Sequence, residues 1–108
     1  MSHGLTLSRR ISRGAPLVGM ALLAGSAWAG DPGKGSTIYR THCVTCHGER
    51  GEGAMPGVPD FSRGEGLMQP DRVLAESIIQ GKTIMPAFQG MLSDDEVLDV
   101  IAFLRTMR

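Results

Sequence analysis

The feature that most restricts this chain is a five-residue run, Cys43-Val44-Thr45-Cys46-His47, which holds both of its cysteines. Two thiols at that spacing, with a histidine directly after them, admit three kinds of chemistry. A thioredoxin-like redox pair or disulfide needs a strand before the motif and a helix beginning at it. The residues before Cys43 read as a helix instead, and no alternating β-branched run occurs anywhere in the sequence. A structural zinc site takes four ligands, typically as two separated pairs. Cys43, Cys46, His47 and His42 are bunched, and no second pair follows. The third chemistry is covalent haem. Two thiols so spaced add across the two vinyl groups on one haem edge, and the following histidine, His47, lies under the iron as its proximal ligand. The motif favours this third reading.

The N-terminal segment bears on the choice. Arg9, Arg10 and Arg13 form a basic head, Ala15 to Ala24 is a short apolar run broken by Pro16 and Gly19, and Ala27-Trp28-Ala29 is an A-x-A tail. That order predicts a secretory signal peptide over residues 1–29, cut after Ala29. The run is too short to span a bilayer as a helix. The residues after Arg9-Arg10 lack the apolar pattern of a twin-arginine signal, so general secretion to the periplasm is expected, where covalent haem attachment fits an oxidising compartment.

Residues 30–108 then form the mature domain. It keeps all 11 acidic residues and 8 of the 11 basic ones, a net charge of −3 against zero for the whole chain. Its charges are spread out, with no basic cluster to grip phosphates, which argues against a nucleic-acid partner. A domain this small is marginal on its own core and usually needs a staple or a bound group. Large apolar residues are sparse and glycine is heavy, so a prosthetic group is expected to fill the middle.

The pattern along the domain predicts short helices and no strands. Asp31 caps a helix over about Pro32–Val44, with Pro32 in its first position and Gly35, Tyr39, Cys43 and Cys46 on one stripe. Gly48 to Gly66 reads as an ordered loop around the proximal side of the haem, with the Pro59 carbonyl as the acceptor for the second N–H of His47. A second helix is expected over about Pro70–Gln80, with Val73, Leu74, Ser77 and Ile78 on its buried side and Gly81 at C′. The last helix opens on a capping box, Ser93-Asp94-Asp95-Glu96, and continues with Val97, Val100, Ile101 and Leu104 on one face. Arg105 and Arg108 fall at the negative end of its dipole.

Between the last two helices, Met85 stands in a loop pinned by Pro86, where a soft thioether can reach the far face of the iron. Met107 belongs to the last helix and Met68 and Met91 flank helix starts, so packing is the expected role for those three, while Met55 lies in the proximal loop, on the wrong face of the haem. His42 adjoins Cys43 and is expected to face solvent.

These residues carry a resemblance. Gly35-x-x-x-Tyr39-x-x-x-Cys43-x-x-Cys46-His47-Gly48, Gly51-x-Gly53, Pro59-Asp60-Phe61, Gly81-Lys82, Met85-Pro86, Leu92-Ser93-Asp94-Asp95-Glu96 and Ile101-Ala102-Phe103-Leu104-Arg105 together resemble a small class I c-type cytochrome of the bacterial monohaem kind. The likeness covers nearly all of the mature chain. It implies the all-α cytochrome c fold: three or more short helices around one covalently bound haem c. It implies that the first and last helices cross with Gly35 and Tyr39 against the Val100 and Phe103 region, and it also puts the histidine-orienting carbonyl on Pro59. The stretch from Phe61 to Gly81 is short for the family, which implies thin coverage of the haem on that side.

The functional expectation is a periplasmic one-electron carrier, not an enzyme. With His47 and Met85 both on the iron, no site remains open for substrate. The expected partners are a donor and an acceptor protein, with a terminal reductase, dehydrogenase or oxidase among the candidates. The protein is expected to be a monomer without membrane insertion after cleavage. Arg40, Arg50 and Lys82 are candidates to steer encounter. Two other readings stay open. One is a peroxidase-like or gas-binding haem, for which the sequence offers no distal acid–base pair. The other is a subunit dedicated to one enzyme, such as a nitrite reductase, a dehydrogenase or an oxidase.

Overall fold

The computed structural model describes residues 3–4, 12, 14–19 and 30–108. The basic head of the expected signal peptide and its Ala27-Trp28-Ala29 tail lie outside the described residues. No helix among the described residues is long and apolar enough to cross a membrane.

Four α-helices carry the domain: α1 (Pro32–His42), α2 (Val44–His47), α3 (Asp71–Gln80) and α4 (Asp94–Leu104). A 3₁₀ turn spans Phe61–Arg63. Among the described residues there is no β-strand, only two isolated bridges, Lys82 with Met85 and Gln89 with Leu92. This is the all-α architecture the sequence predicts.

The start of α1 is as expected. The Asp31 carboxylate accepts from the backbone N–H groups of Gly33 and Lys34, and Pro32 occupies the first turn. The helix ends sooner than its pattern suggests, at His42 rather than Val44. Cys43 departs to φ −117°, and the chain restarts as the single turn α2. The Cys43 N–H still bonds to the Tyr39 carbonyl (2.8 Å), while the N–H groups of Cys46 and His47 both return to the Cys43 carbonyl (3.3 and 3.0 Å). The break thus loses little hydrogen bonding and re-aims the Cys46–His47 pair. Pro70 is the N-cap of α3 rather than its first residue.

The capping box of α4 forms in both directions. Ser93 Oγ accepts from the Glu96 N–H, and Glu96 Oε1 accepts from the Ser93 N–H. At the other end of α4 Arg105 is the C-cap, at the negative end of the dipole as expected. Its guanidinium does not lie along the helix terminus but reaches across to the Leu67 carbonyl, the Gln69 carbonyl (2.8 Å) and the Asp71 carboxylate (2.6 and 3.0 Å). A planar fork with several donors suits that bridging geometry better than a point charge would.

The core lies where α1 and α3 pack on α4. Its ten apolar members are Tyr39, Phe61, Leu67, Ile78, Phe88, Leu92, Val97, Val100, Ile101 and Leu104, and among the described residues no polar or charged residue is buried with them. The α1–α4 crossing is close because Gly35 permits it. A Cβ there would collide with the backbone of Asp99 and Val100. One turn on, the Tyr39 ring meets Phe103 edge-on, with centroids 5.3 Å apart. Gly35 and Tyr39 therefore face the region expected of them. The Tyr39 hydroxyl, buried, donates to the Gly48 carbonyl at 2.6 Å and ties α1 to the turn after α2.

Candidate functional site

One cavity of about 640 Å³ opens between α1, α3, α4 and the two long loops. Its size is that of a ligand pocket. Leu74, Ile78, Phe88, Leu92, Val100 and Leu104 give it apolar walls, and His42, Gln69, Ser77, Lys82 and Thr83 add polar groups to its lining. Cys43, Cys46, His47 and Met85, the four residues singled out from the sequence, all border it.

On the α2 side the cysteines are not joined in a disulfide. Burial, with the neighbouring Cys46, pushes the Cys43 thiol up to about 11. A reactive redox thiol needs the opposite shift, so this environment does not suit a thioredoxin-like pair. Nor do these side chains converge on an ion. Among the described residues, no three His, Cys, Asp or Glu groups come together as a metal cluster. Two free thiols on one helical turn beside an apolar cavity fit vinyl addition.

His47 is half-buried and stacks on Phe61, with ring centroids 4.9 Å apart and planes 16° from parallel. Burial holds its pKa below the usual imidazole value, so the ring is neutral and keeps a lone pair for a metal. Its Nδ1 is fully buried without a hydrogen-bond partner. The expected bond to the Pro59 carbonyl is therefore absent from this structure. The Pro59 oxygen lies near Gly53, 3.4 Å from where a Cβ would stand. A buried ring nitrogen without a partner is costly, and it marks His47 as a residue whose surroundings anticipate a further group. The stacking role of Phe61 has no local signal in the sequence, because it stands 14 positions after His47.

The glycine-rich loop after α2 is ordered. Gly53 and Ala54 donate their N–H groups to the carbonyls of His47 (2.8 Å) and Cys46 (2.9 Å), and Phe61 donates to the Gly51 carbonyl (2.7 Å). These bonds take up the carbonyls that a helix end leaves open and carry Phe61 under the histidine.

The Met85 loop is equally constrained. Lys82 and Met85 exchange backbone bonds of 3.0 and 2.9 Å, closing a two-residue turn over Thr83 and Ile84. Thr83 sits at φ +56°, the one non-glycine residue with a positive φ among those described. A β-branched residue there is strained. The loop then folds back on α3, with Phe88 and Gln89 donating to the Ile78 and Ile79 carbonyls (3.0 and 3.1 Å). Of the mature methionines only Met85 borders the cavity. Met107 packs against the core as expected, but the packing expected of Met68 and Met91 is corrected: both side chains are exposed, as is that of Met55. His42 is exposed, as expected, with its ring edge-on to Phe88 at 5.9 Å. The short stretch after Phe61 does cover part of the cavity, through Gly66, Gln69 and Leu74.

The chain is similar to known proteins. The family model described as cytochrome C oxidase, cbb3-type, subunit III matches residues 30–104. The chain is 27% identical over 96 residues to the cbb3-type cytochrome c oxidase subunit CcoP of Azospirillum sp. (strain B510), a match that takes in 82% of this chain and 32% of that protein. The chain thus spans about a third of the length of the cbb3 subunits it matches. It is 31% identical over 86 residues to cytochrome c6 of Thermosynechococcus vestitus, covering 76% of this chain and 75% of that one. The solved structure of cytochrome c6 from the diatom Phaeodactylum tricornutum superposes with a TM-score of 0.56 at 27% identity, over 71% of this chain and 93% of the other. The fold, the cavity and these matches agree: the chain belongs to the cytochrome c family, in the group typified by the cbb3-type oxidase subunit III domain, whose cofactor is covalently attached haem c.

Proposed function

We propose that residues 30–108 form a periplasmic one-electron carrier holding a single haem c, exported by a signal peptide that is cut after Ala29. Cys43 and Cys46 supply the two thioether bonds, and His47 and Met85 are the axial ligands. The observation that carries this reading is that His47 and Met85, 38 positions apart in sequence, border one apolar cavity while no other mature methionine does. Haem iron held by a histidine and a methionine supplies an Fe(II)/Fe(III) couple with a raised potential and no vacant coordination position.

The chain's own residues then have defined work. Phe61 fixes the plane of the His47 ring, and the loop bonds to the His47 and Cys46 carbonyls hold the turn beneath it. The Lys82–Met85 turn and Gly81 hold the thioether on its own side of the cavity. The apolar walls exclude water, which limits reorganisation when charge changes. Lys82 borders the cavity while, among the described residues, no acidic residue does, although the mature chain is acidic overall. That asymmetry favours an acidic partner surface and acts mainly on encounter rate.

An optical spectrum of the exported protein, oxidised and reduced, after acid–acetone extraction tests the proposal. Haem retained by the protein, with the far-red sulfur-to-iron band in the oxidised form, is the expected result. Haem lost on extraction refutes covalent attachment. Retained haem without the band refutes Met85 and makes a ligand-binding haem the leading reading.

The likeness to CcoP favours a second reading, in which the domain serves one oxidase as a dedicated subunit. Purification from membranes separates the two: a carrier is recovered alone and as a monomer, a subunit with its enzyme.

A further inference from the structure

The proposed cut after Ala29 leaves Gly30 as the first residue, and Gly30 already packs against α4. A Cβ at this position would collide with the backbone of Leu98 and Asp99, so only glycine fits. The family match also begins at residue 30. The next residue, Asp31, donates its backbone N–H to Asp99 Oδ1 at 2.7 Å. Asp99 is half-buried, and its carboxylate is in neither of the ion pairs seen among the described residues, Arg72–Glu76 and Arg105–Asp71.

Cutting the chain creates a charge at this spot. A free α-amino group has a pKa near 7.8 and is largely protonated at neutral pH. Covalent geometry keeps the nitrogens of neighbouring residues within about 3.7 Å of each other. The Gly30 nitrogen therefore lies within roughly 6.4 Å of Asp99 Oδ1, on the residue next to the one that already bonds this carboxylate. A cation ahead of α1 would otherwise oppose the positive end of the helix dipole. The Asp31 carboxylate is already engaged in capping Gly33 and Lys34, which leaves Asp99 as the carboxylate with capacity to spare.

We propose that the α-ammonium of Gly30, released by cleavage after Ala29, pairs with the Asp99 carboxylate and clamps the start of α1 to α4. The clamp rests on the cleavage reading and adds to it a consequence for the fold. The crossing of α1 and α4 supports the turn that carries Cys43, Cys46 and His47, so the domain gains a contact to this crossing only once it has been exported and trimmed. An amide nitrogen at the same position, as in the uncut chain, carries no charge and cannot make this pair.

A two-by-two comparison on the haem-loaded protein tests the clamp. Proteins beginning at Gly30 or at Trp28 are each produced with Asp99 and with Asp99→Asn. Asparagine retains an acceptor oxygen for the Asp31 N–H but no charge. The expected result is that Asp99→Asn lowers Tm by about 4 °C in the protein beginning at Gly30, and by less than about 1 °C in the extended one. An equal loss in both, or none in either, overturns the clamp. The mass of the naturally exported protein separates the two claims. With a start at Gly30 and no coupling, the clamp alone fails. A start elsewhere overturns both the cleavage reading and the clamp.

Discussion

The carbonyl oxygen of Met85 lies 2.8 Å from the point where a Cβ on Gly81 would stand, and Gly81 itself sits at φ +77°. The residue that ends α3 and the residue that faces the cavity are thus in backbone contact, through a space only glycine leaves open. The Ala87 nitrogen crowds the same point at 2.8 Å. Met85 is positioned by the absence of a side chain four residues before it.

Gly81→Ala is accordingly expected to displace the Met85 loop while leaving the thioether attachment intact. The positive φ alone costs an alanine about 1 kcal/mol, and the collision adds to it, for a total of roughly 2–3 kcal/mol. The far-red band of the oxidised protein should weaken or vanish while the haem stays with the chain on acid–acetone extraction. A full-strength band in this variant would show that the Gly81 contact does not hold Met85.

Met85→Ala removes the proposed distal ligand. The reduction potential should fall, because histidine–methionine ligation favours the ferrous state, and the reduced protein should bind carbon monoxide. Potentiometry and a carbon monoxide difference spectrum measure the two effects. An unchanged potential would assign the distal position to another residue.

Arg105 offers a test of the cavity wall. Arg105→Lys keeps the charge and loses the fork that reaches Leu67, Gln69 and Asp71 together, so it should be destabilising by about 1–2 kcal/mol in denaturant unfolding. Arg105→Ala should cost about as much or slightly more, since what matters is geometry rather than charge. A lysine variant as stable as the wild type would contradict that account.

The α4 capping box sets a pH dependence. The Ser93 backbone N–H, and then its hydroxyl, hold the Glu96 carboxyl below its ordinary value of 4.5. Between the folded and unfolded pKa values the unfolded chain binds more protons, so stability rises with pH there. The contribution is complete above the unfolded value near 4.5 and disappears as pH falls through the lower, folded value. Glu96→Gln keeps the hydrogen-bonding shape without the charge. Its Tm should lie below that of the wild type at neutral pH, and the two should converge as the solution is made more acid. A gap that stays constant with pH would exclude the carboxylate as its source.

Much of the candidate site was legible because its chemistry is local. Cys43, Cys46 and His47 fall within five positions, and a single helical turn is enough to bring them to one side. The capping box at Ser93 and Glu96 is likewise a relation between residues three apart, fixed by helix geometry. Met85 could be separated from the other methionines by the constraint around it, since Pro86 and Gly81 mark a loop that helix periodicity cannot explain.

Other features needed the assembled chain. The break of α1 at Cys43 overrides an unbroken helical stripe, because the turn carrying Cys46 and His47 must face the cavity rather than follow the α1 axis. The Phe61 ring reaches His47 only after the glycine loop has folded back through its bonds to α2. Arg105 leaves the end of its own helix for carbonyls 36 and 38 residues away. Pro59 shows the converse: the family pattern assigned it a bond to His47 that the packing in this structure does not make. The sequence alone determined the residue types, the caps that start α1 and α4 and the attachment chemistry, since those depend on contacts within about one turn. Tertiary structure alone decided which side chains meet across the cavity. That outcome depends on how closely α1 and α4 approach at Gly35 and on the packing of the core, which no short window of sequence contains.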